Sequence, residues 1–183
     1  MPLGAVVRDA GQVVSRDELG RWGVTAASDL FSYRVLSRFG GWYSDLDAVL
    51  MKPIDLPGSF VSARQPGGTV GVGLLYQDGP GGVAEVVLDR AERVGPGKGY
   101  CAIGPPLMTR TLGELGVIPF PSYTFYPWAY TSWRTALCPN GRLPAGAYSV
   151  HLYTQMFRLD RVDQDGPFPG TSIVEQLCRL YGD

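Results

Sequence analysis

The 183-residue chain has only one histidine and three cysteines. Cys101, Cys138 and Cys178 are odd in number and widely spaced. With no Cys-x-x-Cys pair, they read as ordinary buried thiols. An excess of one charge is also missing. The 16 Lys and Arg nearly balance the 17 Asp and Glu, for a net charge of -1, so no basic stripe points to nucleic acid or an anionic membrane. No apolar run reaches the roughly 18 residues of a membrane span, and Met1-Pro2-Leu3 opens no basic-then-apolar leader. A cytoplasmic location is the expectation. The common phosphate loops fail as well. Gly95-Pro96-Gly97-Lys98 has Glu92 where the first glycine should stand and Gly99 after the lysine, and Gly71-Val72-Gly73 has Tyr76 in place of the third glycine of a dinucleotide fingerprint. No Gly-x-Ser-x-Gly nucleophile elbow occurs.

What is present suits one globular domain over residues 1–183. Hydrophobic residues make up 45% and charged residues 18%, while 25 Gly and 15 Pro make the chain loop-rich. No repeat or linker divides it. The most informative stretch is residues 26–55. Leu30, Tyr33, Leu36 and Phe39 recur at helical spacing, Ser28 is a candidate N-cap, and Gly40-Gly41 is a candidate left-handed stop. Trp42-Tyr43 and then Ala48 to Met51 predict a strand that ends at Lys52-Pro53.

Between them lie Asp45 and Asp47. In an extended segment both carboxylates face one side and can converge on a cation, with Leu46 turned the other way into the core. The spacing alone says little, because 12 aspartates give about one such pair by chance. A second pair, Asp163-Gln164-Asp165, precedes Gly166-Pro167 with no strand around it and reads as a solvated turn.

Taken together, Ser28-Asp29-Leu30-Phe31-Ser32-Tyr33, Gly40-Gly41-Trp42-Tyr43 and Asp45-Leu46-Asp47 resemble the DXD-containing glycosyltransferases of family 32, including the capsular polysaccharide synthesis type. The block is more specific than its Asp-x-Asp core. Further along, Gly104-Pro105-Pro106-Leu107-Met108-Thr109, Phe125-Tyr126-Pro127 and His151-Leu152-Tyr153 are similar to other segments of that family. Three departures stand out. Ser32 replaces the family's arginine, an asparagine is replaced near Gly71-Val72, and the N-terminal strand and helix that normally come first are missing from the sequence.

Alternating strands and helices argue for an α/β domain, and the resemblance implies an N-terminally shortened GT-A-like nucleotide-diphospho-sugar transferase fold. It also implies a metal-dependent hexosyltransferase that takes a UDP- or GDP-sugar donor and a saccharide acceptor and retains anomeric configuration. Asp45 and Asp47 would then hold Mn²⁺ or Mg²⁺, with His151 as third ligand; oxygen ligands suit both ions and an imidazole favours Mn²⁺. Asp29 would bind sugar hydroxyls, flanked by Ser28 and Tyr43. Read without the resemblance, His151 is a satisfied core histidine and Asp29 a first-turn helix aspartate favoured by the macrodipole. The missing strand and helix lead to the expectation that a second copy or another chain covers that side of the sheet. Ser32 and the shortening favour a non-catalytic binding module as the alternative, with a plain metal- or carbohydrate-binding protein as a third reading.

Elsewhere, Val6-Val7 suggests a strand, Ser15 to Glu18 a capped turn or short helix, and Phe60 to Ala63 and Val70 to Tyr76 two strands around a Gln65-Pro66-Gly67-Gly68 turn. Helices are expected over 83–94, over 107–115 with Gly116 as stop and Val117-Ile118 leading into a strand, and over 171–181 with Ser172 and Glu175 as a capping box. Val150 to Arg158 reads as a strand or short helix. The aromatic-rich segment 120–134 is either a cover for the core or a wall for stacking sugar or base.

Overall fold

The computed structural model describes residues 4–99 and 101–182; the Met1-Pro2-Leu3 segment read above for a leader lies outside them. After a short 3-10 turn (Ala10–Gln12) come α1 (Arg16–Trp22) and α2 (Val24–Phe39), followed by β1 (Gly41–Ser44), β2 (Ala48–Leu50), β3 (Phe60–Val61) and β4 (Leu74–Gln77). Next come α3 (Gly82–Val94), α4 (Pro105–Leu115), β5 (Ser149–His151), α5 (Thr154–Leu159) and α6 (Ile173–Tyr181). Helices and strands are thus mixed along the chain. Two small sheets form, one ordered β1-β4-β3 and one pairing β2 with β5, and every named strand pair is antiparallel.

Two apolar clusters hold these elements. Leu30, Tyr33 and Leu36 of α2 pack with Val87 and Ala91 of α3 and with Leu107, Met108 and Leu112 of α4 on one side of the first sheet. Leu74 and Val61 belong to a second cluster with Phe125, Tyr126, Trp133, Val150, Phe157, Ile173 and Leu177. Side-chain alternation along β4 splits its residues between the two, since Leu75 joins the first and Leu74 the second. The metal-candidate residues sit where β1, β2 and β5 meet.

Local signals explain most element ends. Ser15 and Glu18 form a reciprocal capping box on α1, Gly116 is the left-handed stop of α4, and Ser172 caps α6 by accepting from Glu175 N. Gly40 and Gly41 have φ of 65° and 82°. A Cβ on Gly40 would lie 2.6 Å from backbone atoms of Gly79, so the α2 to β1 turn needs glycine for both conformation and space.

Several expectations are corrected. Helix α2 begins at Val24 after Gly23, so Ser28 lies inside the helix rather than capping it, and Asp29 is in its second turn, beyond the first-turn donors. Asp45-Leu46-Asp47 is a turn, closed by Ala48 N donating to Asp45 O at 3.1 Å, and Leu46 is fully exposed rather than in the core. Val6 and Val7 are exposed and outside any strand, and exposed Ile118 does not enter one. Arrays of aromatic residues in segment 120–134 divide: Phe125, Tyr126, Trp128 and Trp133 are buried core, whereas Tyr123 and Tyr130 are exposed. Cys138 and Cys178 are exposed and Cys101 is half-buried, against the expectation of buried thiols. Glu175 does not complete a box at Ser172; its Oε1 accepts from Phe168 N instead.

Candidate metal and sugar site

Asp45 and Asp47 converge although they are not on a strand. The turn that carries them is fixed at one end by Asp45 N donating to Gly73 O at 2.7 Å, and at the other by Leu152 N donating to Asp47 O at 2.9 Å. Ala48 is in register with His151 across the second sheet. Pairing of β2 with β5 therefore sets the only histidine beside residues more than 100 positions earlier. His151 Nε2 lies 3.4 Å from Asp45 Oδ2 and 3.4 Å from Asp47 Oδ1, and the three donor atoms all fall within 4.8 Å of one another.

The outer oxygens are tied back. Tyr43 OH donates to Asp45 Oδ1 at 2.8 Å, while Thr154 N and Oγ1 donate to Asp47 Oδ2 at 2.8 and 3.0 Å. Each carboxylate thus spends one oxygen on a neighbour and aims the other at the shared point. Two carboxylates set together repel unless a cation or proton lies between them, so this donor set fits a divalent ion, and the hydrogen bonds behind it are of the kind that orient metal ligands. Imidazole is the softer member of the set, and its Nδ1 accepts from Tyr153 N at 3.2 Å. That donor assigns the neutral ring's proton to Nε2, so ligation through Nε2 requires the proton to shift to Nδ1 and the Tyr153 contact to be given up.

Gly71 and Gly73 were not legible as site residues. A Cβ on Gly73 would lie 2.7 Å from both Asp45 Oδ2 and His151 Nε2, so glycine keeps the space beside the donors open. At Gly71 the Cβ would run into the Tyr126 ring at 2.3 Å. Tyr126 in turn accepts from Leu74 N at 3.1 Å and lies beside His151, 5.9 Å between ring centroids. Gly71-Val72-Gly73, which fails as a dinucleotide fingerprint, marks the close approach of the segment before β4 to the site.

Asp29 is the second chemical feature. It is buried against Gly104, and its Oδ2 has no hydrogen-bond partner. Burial, with a smaller push from the Asp45 charge, raises its carboxyl pKa to about 7. Tyr43 is pushed up well beyond the ordinary phenol range, first by burial and then by Asp45, with a Ser28 hydrogen bond acting the other way. Ser28, Tyr43 and Asp45 thus form one chain of contacts from α2 to the donor cluster. Ser32 is buried and its hydroxyl donates to Asp29 O at 2.7 Å, so it does not stand in for a charged side chain. A separate cavity of about 420 Å³ lies between Trp22, the start of α2 and the glycine-rich loop around Lys98; none of the cluster residues lines it.

Residues 11–62 match the family model of the glycosyltransferase sugar-binding region containing DXD motif. The match takes in Ser28, Asp29, Tyr43, Asp45 and Asp47, and over that region the chain is glycosyltransferase-like. His151, Thr154 and Gly73 lie outside it and join the cluster only in three dimensions. No curated protein matches the chain. Among the described residues no helix is long and apolar enough to cross a membrane.

Proposed function

We propose that the chain is a metal-dependent glycosyltransferase of GT-A-like fold that moves a hexose from a UDP- or GDP-sugar to a saccharide acceptor with retention. The observation that carries this reading is the convergence of Asp45, Asp47 and His151 at the edge of a DXD sugar-binding segment. The reaction breaks the bond from sugar C1 to the diphosphate oxygen, forms one from C1 to an acceptor hydroxyl oxygen, and releases the hydroxyl proton with the nucleoside diphosphate. Mn²⁺ or Mg²⁺, when bound, supplies positive charge against the diphosphate as it leaves. Asp45 and Asp47 would hold that ion, with His151 as the third ligand.

Asp29 binds the sugar. Its Oδ2 is buried without a partner, at a cost of about 1–3 kcal/mol, which supports a role for Asp29 other than stability. Tyr43 and Ser28 lie beside it on β1 and α2 and are hydrogen-bonded to each other. The test is a donor-hydrolysis screen of UDP- and GDP-hexoses with and without Mn²⁺, followed by NMR of the released nucleotide and of the product anomer. Cation-dependent release that disappears in Asp45→Asn supports the assignment; release unaffected by chelator removes it. A second reading, a binding module without turnover, is favoured by buried Ser32 at the position of a charged donor. Saturable cation-dependent binding of nucleoside diphosphate with no hydrolysis and no transfer selects it.

A further inference from the structure

The two carboxylates are held unequally. Asp45 has a single phenol donor behind it, whereas Asp47 Oδ2 takes both the backbone N–H and the hydroxyl of one residue, Thr154, at 2.8 and 3.0 Å. This double contact depends on an unusual bend. His151 ends β5 and Thr154 begins α5, and Tyr153 between them adopts φ 55°, ψ 50°, a left-handed conformation uncommon outside glycine. The bend turns Thr154 N–H back towards Asp47 while Tyr153 N–H reaches His151 Nδ1 at 3.2 Å. Tyr153 is anchored in turn, its hydroxyl donating to Trp128 O at 3.3 Å.

From this we infer that Thr154 is a positioning residue of the cation site. By occupying Oδ2 twice it fixes the Asp47 carboxylate so that Oδ1 is the oxygen presented beside Asp45 Oδ2 and His151 Nε2. The left-handed Tyr153 supplies the geometry for that contact. The inference rests on the reading of Asp45 and Asp47 as cation ligands, and it adds a residue that lies outside the matched DXD segment.

The test is Mn²⁺ affinity, read by the electron paramagnetic resonance signal of free Mn²⁺, in the wild type, T154V, T154S, D47N and the D47N/T154V double variant, with metal-free thermal unfolding of each as a fold control. T154V keeps the shape and the backbone donor but removes the hydroxyl, and is expected to weaken Mn²⁺ binding about tenfold, the low end for groups that orient metal ligands. T154S should bind like the wild type, and adding T154V to D47N should cost nothing further, because the effect runs through Asp47. If T154V does not fold, T154A replaces it in both arms. T154V within about twofold of the wild type while D47N loses Mn²⁺ overturns the positioning role and leaves the cation reading intact, as does a T154V loss that persists in the D47N background. A wild type that binds no Mn²⁺ overturns the cation reading, and the positioning role with it.

Discussion

The chain contains the same triplet pattern twice, Asp45-Leu46-Asp47 and Asp163-Gln164-Asp165, and both are turns. At the second, Asp163 and Asp165 are exposed and the turn serves itself, Asp165 N donating to Asp163 Oδ1 at 3.1 Å. At the first, both carboxylates are half-buried, and their outer oxygens are held by Tyr43 from β1 and Thr154 from α5, with His151 facing the inner ones. The difference teaches that Asp-x-Asp is not the functional unit. What separates a candidate ligand pair from a solvated turn is whether remote elements supply second donors to each carboxylate.

The largest test of that contrast is a pair of double substitutions. Asp45→Asn with Asp47→Asn should reduce Mn²⁺-dependent binding of nucleoside diphosphate about a hundredfold or more, because two of the ligand charges are removed. Asp163→Asn with Asp165→Asn should leave calorimetric affinity within about twofold. Equal losses from both pairs would erase the distinction.

A second contrast lies in Asp29, since the second triplet has no buried carboxyl beside it. Its pKa is raised from an ordinary 3.8 to about 7, so the folded state holds a proton that the unfolded state has released over that window. Stability from this group is complete below pH 4 and declines as pH rises towards 7, by about 1.4 kcal/mol for each unit between the two pKa values. Urea midpoints measured from pH 4 to 8 should fall in the wild type and flatten in Asp29→Asn. An unchanged slope in the variant would show that another group carries the dependence.

Glycines give the smallest expected changes. Gly40→Ala meets Gly79 backbone at 2.6 Å at a φ of 65° and should cost about 2 kcal/mol or more, while Gly41→Ala, at φ 82° with no atom within 4 Å, should cost about 1 kcal/mol. After the second triplet, Gly166 has no left-handed φ and its nearest contact would be 3.3 Å, to Asp163, so Gly166→Ala should change the thermal midpoint least. If Gly166→Ala proved as costly as Gly40→Ala, the entry to the first triplet would not be the more constrained of the two.

Much of this was legible in the residues themselves. Helix stops at Gly40 and Gly116, the caps at Ser15 and Ser172, and the grouping of Asp29, Tyr43, Asp45 and Asp47 within 20 positions follow from local conformational preference and short-range spacing, which a sequence displays directly. Reading Asp45-Leu46-Asp47 as part of a strand failed because apolar neighbours on both sides suggested continuity, whereas the hydrogen bond from Ala48 N to Asp45 O closes it into a turn. Local pattern had also placed Ser28 at the N-cap, but the cap is Gly23, at φ 74°, and the helix begins five residues earlier.

The sequence by itself thus determined which residue types were available and where the chain must turn, because those depend on a few neighbouring side chains and on glycine. Tertiary structure alone decided which of them meet. Pairing of β2 with β5 brings His151 and Thr154 to Asp45 and Asp47, the approach of the segment before β4 makes Gly71 and Gly73 obligatory beside Tyr126 and the donor cluster, and packing of α2 against Gly104 buries Asp29 Oδ2 without a partner. These contacts join residues up to 107 positions apart. Their geometry is set by strand register and core packing, which no local periodicity encodes.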